Sequence, residues 1–117
     1  MPELISEPTM IPVPGGKSIA EYIGRVKTGD NDVSVAVMQA PAGWSEPAQA
    51  PNFDEFTIVI TGSIDVEHEG KTINVSAGQA LITRAGEKVR YLTREDAHYV
   101  AICLPAFSPE LVNRDEE

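Results

Sequence analysis

The chain has 117 residues, room for one compact domain and too few for a second core of useful size. Apolar residues make up 42% and charged residues 23%, ordinary globular usage that excludes a disordered tail or linker. Against 9 basic residues stand 18 acidic ones, and the resulting net charge of -9 repels phosphate backbones and anionic surfaces, so neither nucleic acid nor membrane is an expected partner.

Residues 1–16 carry Pro2, Pro8, Pro12, Pro14, Gly15 and Gly16, which deny a regular helix and predict an extended arm or edge strand. The opening MPELISEPTMIPVPGG has neither a basic leader nor a sustained apolar run. No later segment approaches the roughly 20 apolar residues of a membrane span. The lone Cys103 excludes an intrachain disulfide framework, and together these features predict a cytoplasmic protein. Residues 17–107 then alternate apolar and polar positions in short blocks: SIAEYIGRV, VSVAVMQA, FDEFTIVI, SIDVEHEGKTINV, QALITR, KVRYLT and HYVAICL. Turn residues separate them at TGDND, Thr61-Gly62-Ser63, Glu69-Gly70, Ala85-Gly86 and Arg94-Glu95-Asp96. Such spacing, without a helical period, predicts an all-β sandwich or closed barrel of antiparallel strands. Residues 108–117 form a tail in which Ser108, as N-cap, and Pro109 predict a short helical turn through Leu111 and Val112, with Arg114 onward fraying in solvent.

In FDEFTIVI, strand parity places Phe53, Glu55, Thr57 and Val59 on one face and Phe56, Ile58 and Ile60 on the other. A barrel interior covers the first set. A second apolar face needs the arm or another subunit, so a homodimer is expected.

The segment from Gly43 to Gly62, GWSEPAQAPNFDEFTIVITG, resembles the first cupin motif. Gln49 and Pro51 stand where that motif has two histidines, and Glu55 matches its glutamate. The segment from Gly78 to Thr93, GQALITRAGEKVRYLT, is similar to the second motif, with Arg84 replacing a proline and Val89 at the third histidine. The resemblance runs from about residue 30 to 104 and implies a cupin-type jelly-roll barrel. Such barrels usually hold a divalent transition metal on three imidazoles and one carboxylate. Here only the carboxylate remains, so no cofactor is expected, and at most a weak divalent ion at Glu55 and Gln49.

Without a metal, Glu55 on an inward face lacks a compensating cation. Desolvation then raises its pKa, making it the candidate acid/base; the alternative is a structural carboxyl held by Gln49 and a strand neighbour. Tyr91 shares the inward parity of Val89 and adds a phenol to the same space. Arg84, in the loop between motif strands, is the candidate ligand for a small anion. Trp44 and Met38 are candidates for an apolar rim, and His98 for a position at the barrel mouth. His68, beside the Glu69-Gly70 turn, reads as a surface residue.

The substitutions point to a barrel that binds a small polar or carboxylated metabolite and performs metal-independent proton transfer. Two alternatives stay open, a noncatalytic binding or dimerisation module and a metal-dependent oxygenase or isomerase. The histidine-poor motifs also resemble the ethanolamine-utilisation cupins, a family with an acetate-kinase activity; without a phosphate-cradling glycine loop, that nucleotide chemistry is not expected of this chain.

Overall fold

The computed structural model of the protein describes residues 1–115. Among them nine strands follow one another: β1 (Thr9–Ile11), β2 (Ser18–Ile23), β3 (Ser34–Ala40), β4 (Asp54–Thr61), β5 (Ser63–His68), β6 (Lys71–Ser76), β7 (Ala80–Thr83), β8 (Arg90–Leu92) and β9 (Ala97–Leu104). A 3-10 turn at Pro109–Leu111 ends the regular structure, its first turn capped by Ser108, whose Oγ accepts from the Glu110 amide. No helix is long and apolar enough to cross a membrane.

Six strands form one antiparallel sheet in the order β1-β2-β3-β9-β4-β7, and three form a second in the order β6-β5-β8. The last strand is thus threaded between β3 and β4, far from its neighbours in sequence, which is the crossing pattern of a jelly roll. Val59 and Tyr99 from the larger sheet pack against Ile64, Val66, Val75 and Tyr91 from the smaller one. These branched and aromatic side chains fill one end of the sandwich, and Ile64, Val59 and Val66 are each 1% exposed. A smaller cluster of Phe53, Cys103 and Val112 closes the other end.

The arm forms an edge strand, with Thr9, Met10 and Ile11 paired to Glu21, Ala20 and Ile19. Pro12 and Pro14 then end it by removing two ladder donors. The tail departs from the expectation of fraying. The Asp115 amide donates to the Ala48 carbonyl at 2.7 Å, and Lys88 Nζ reaches the Asp115 carboxylate at 2.7 Å. Backbone pairing and an ion pair hold it; Glu116 and Glu117 lie outside the described residues.

The hairpin at Gly62 needs glycine twice over: its φ is 75°, and a Cβ there would collide with the Asp96 carbonyl. Gly62→Ala should cost on the order of 3 kcal/mol, conformational strain plus backbone clash. Gly70→Ala, with the same φ but open space around it, should cost about 1 kcal/mol. Urea denaturation of the two variants measures the difference, and equal midpoints would contradict this packing.

Candidate functional site

The inner face of the larger sheet carries small side chains at its centre. Ala36 of β3 lies opposite Ala101 of β9, flanked by the pairs Ser34–Cys103 and Met38–Tyr99. Two adjacent alanines cannot reach the facing sheet, and a cavity of about 520 Å³ remains above them. Its walls are largely apolar, from Ile19, Met38, Phe53 and Phe107 to the rings of Trp44 and Tyr99. Such a space with a few convergent polar groups is the usual form of a small-molecule site.

Glu55 enters from β4 on the parity that buries Thr57 and Val59. Burial lifts its carboxyl from an ordinary value near 4.5 to about 7; Lys17 opposes the rise, Glu46 reinforces it, and a hydrogen bond from the Tyr91 hydroxyl and the Arg114 charge oppose it. Thr83 Oγ1 lies 3.2 Å from the Tyr91 hydroxyl oxygen. Burial and the neighbouring Glu55 push the Tyr91 phenol well above its normal range, so it stays a neutral donor to the carboxyl.

Lys17 is the cation that the motif positions gave no reason to expect. It precedes β2 and shares the inward parity of Ile19 and Glu21. Gly15, at φ 86°, lets the arm press on Trp44, where a Cβ would come within 3.3 Å of the ring. The Lys17 ammonium then sits 4.4 Å from the Trp44 ring centroid and 5.4 Å from that of Tyr99. Burial lowers its pKa, while Glu46 and Glu55 hold it up. Glu55 therefore does have a compensating charge nearby, contrary to the expectation from sequence, yet desolvation still prevails.

Arg114 comes from the tail. Its guanidinium donates to Gln49 Oε1 at 3.2 and 3.3 Å and lies 3.5 Å from Glu46, whose carboxyl is raised chiefly by burial. Backbone bonds of 2.8 Å in both directions between Gln49 and Val89 fix that side of the mouth. Gln49 is thus held by Arg114, and Tyr91, not Gln49, is the hydrogen-bond partner of Glu55.

Of the residues singled out by sequence, Glu55, Gln49, Tyr91, Trp44 and Met38 line the cavity. Arg84 and His98 do not, which corrects their assignment. Arg84 is turned outward over the Phe56 ring and pairs with Asp54 at 3.4 Å. His98 alternates with the inward Ala97 and Tyr99 and borders a separate shallow depression beside Ser18 and Gln39. Lys17, Glu46 and Arg114 are charged residues of the cavity wall that the sequence did not single out. His68, half-buried, contacts the Lys88 carbonyl through Nδ1.

The positions where the motifs would hold a metal do not fit one. Pro51 and Val89 are buried without a donor atom, and the Gln49 oxygen is taken by Arg114. Among the described residues no three His, Cys, Asp or Glu side chains converge.

If burial sets the Glu55 pKa, its ionisation opposes folding. The folded state keeps the proton longer than the unfolded state, so stability falls as pH rises from about 4.5 to about 7 and is level above that. The loss is roughly 3 kcal/mol, at about 1.4 kcal/mol per pK unit. Glu55→Gln should remove it, raising the melting temperature at pH 8 and leaving it unchanged at pH 4.5. A variant less stable at both pH values would show that Glu55 makes favourable charged contacts that outweigh desolvation.

The sequence pattern described as ethanolamine utilisation protein EutQ matches residues 28–108. The chain is 43% identical over 110 residues to a protein named endoribonuclease YbeY from Myxococcus xanthus, covering 91% of this chain and 37% of that one. It is 27% identical over 55 residues to the acetate kinase EutQ of Clostridioides difficile, covering 47% of this chain and 35% of that one. The chain thus spans little more than a third of the curated relatives it matches. Its fold is that of an RmlC-like cupin from Shewanella frigidimarina, with a TM-score of 0.76 at 11% identity over 93% of this chain and 94% of that structure.

Proposed function

The chain belongs to the EutQ family of the cupin superfamily, and on that premise we propose that it binds a small polar or carboxylated metabolite in its cavity, with Glu55 as a metal-independent acid/base. The observation that carries this reading is a carboxyl titrating near 7 at the wall of an apolar cavity, beside a phenol donor and an ammonium. A general acid/base works best with its pKa near the working pH, and Glu55 meets that condition through burial.

Ribonuclease and acetate-kinase chemistry stay with the relatives so named. The chain spans 37% and 35% of them, and each cation of its basic stretch has an acidic neighbour that offsets its charge: Arg84, Lys88, Arg90 and Arg94 pair with Asp54, Asp115, Glu67 and Asp65. The donor set argues equally against metal-dependent oxygenase or isomerase chemistry. Protein purified without added metal should contain less than one transition-metal ion per chain by elemental analysis; one ion that resists a chelator would overturn this part of the reading.

Ligand binding is tested by filling the cavity. Ala101→Leu places a branched side chain in the space over Ala36, and it should fold while losing the melting-temperature increase that metabolite ligands give the wild type. Ligand responses that survive unchanged in this variant would place binding elsewhere and sink the proposal.

The homodimer belongs to the same proposal. On the outer face of the larger sheet, Met10, Ala20, Val37, Val100, Ile58 and Ala80 form one continuous cross-strand row, and Ile58 and Ile82 are 43% and 54% exposed. An apolar row across six strands is what a second copy would cover. Light scattering should report a dimer at micromolar concentration and a monomer for Ile58→Asp, whereas a monomeric wild type would contradict it.

A further inference from the structure

In the acid/base role of Glu55, Lys17 only moderates the carboxyl's ionisation, although withdrawing an ammonium from water costs far more than withdrawing an apolar residue. Among the described residues the Lys17 ammonium has no carboxylate within 4.0 Å and no hydrogen-bond acceptor; aromatic rings are what lie beside it. Its counterpart Arg114 is engaged through Nε and Nη2 by Gln49 and through Nη2 by Glu46. Lys17 is thus a three-donor cation, half-buried on the cavity wall, with aromatic rings and no anionic partner beside it.

We propose that Lys17 is the anchor for a carboxylate group of the ligand, so that the cavity selects small monocarboxylic acids with an apolar body. This deepens the small-molecule reading and rests on it. The charges that act on Lys17 favour an anion of single charge. With Glu55 protonated, Lys17 and Arg114 face Glu46 alone, leaving one positive charge for the ligand to neutralise. A dianion would leave an excess charge in a low-polarity space, and an amine would meet an ammonium already in place. The apolar walls around Ala36 and Ala101 suit a hydrocarbon or aromatic body.

The groups facing this site also set its pH dependence. Tyr91, Tyr99 and Cys103 are buried and kept neutral, and Glu21 is turned to the Val26 and Lys27 amides. Glu55 is the neighbour that titrates near neutrality. A bound carboxylate favours its protonated form, so affinity should be level below about pH 7 and fall toward tenfold per pH unit above it.

The test uses three probes of one skeleton: phenylacetate, phenylacetamide and phenethylamine, titrated calorimetrically into the full chain at pH 6. Phenylacetate should bind roughly tenfold or more tightly than the amide, and the amine weakest. That preference should disappear in Lys17→Met, persist in Lys17→Arg, and lose its decline above pH 7 in Glu55→Gln, with circular dichroism verifying each fold. An amide or amine that binds as tightly as the acid, or an acid preference that survives in folded Lys17→Met, overturns the assignment of Lys17 while leaving the cavity a ligand site. If none of the three binds at millimolar concentration, the cavity is not a ligand site for such molecules, and the broader reading falls together with this one.

Discussion

A carboxyl and an ammonium share one largely apolar cavity, and the rest of the structure is arranged around that constraint. Desolvation drives Glu55 up and Lys17 down toward their neutral forms, while each favours the charged form of the other. The outcome is a carboxyl poised near neutrality, which an isolated charge in the same cavity would not be. In metal-bearing cupins the positive charge arrives with the ion. Here a side chain from the start of β2 supplies it, carried in by a glycine turn that packs on Trp44.

The constraint explains why both ends of the chain contribute to one site. Gly15 and Lys17 come from the junction of arm and barrel, Arg114 from the tail, and Glu55 from the middle of the fold. Arg114 acts across 65 residues of sequence to orient Gln49, and the adjoining Asp115 is tied back to Ala48 and Lys88. The packed end of the sandwich, around Ile64 and Val66, supplies the burial that holds these parts in register. Between that end and the Phe53 cluster, the paired Ala36 and Ala101 leave the inner face of the larger sheet unfilled, and the cavity lies over them.

Local periodicity made most of the fold legible in the sequence. Alternation over short blocks located the strands after the arm, and the turn residues located the hairpins at Gly62 and Gly70. Parity, with the cupin motif fixing which face turns inward, also placed Glu55 and Tyr91 inside. What escaped were the residues whose roles depend on distant partners. Arg84 looked like an anion ligand because its carboxylate partner, Asp54, lies on another strand. His98 failed on parity, since its neighbours Ala97 and Tyr99 take the inward positions. Lys17 carried a usable signal, the same parity as Ile19 and Glu21, but a lysine at the end of a proline-rich arm resembles an ordinary solvated residue.

The central claim is that burial, moderated by Lys17, sets the ionisation of Glu55. A carbon-13 NMR titration of the Glu55 side-chain carboxyl in the folded protein measures this directly. A midpoint near pH 7 that moves upward in Lys17→Met is the predicted result. A midpoint near 4.5 in the wild type, or one that Lys17→Met leaves in place, would contradict it.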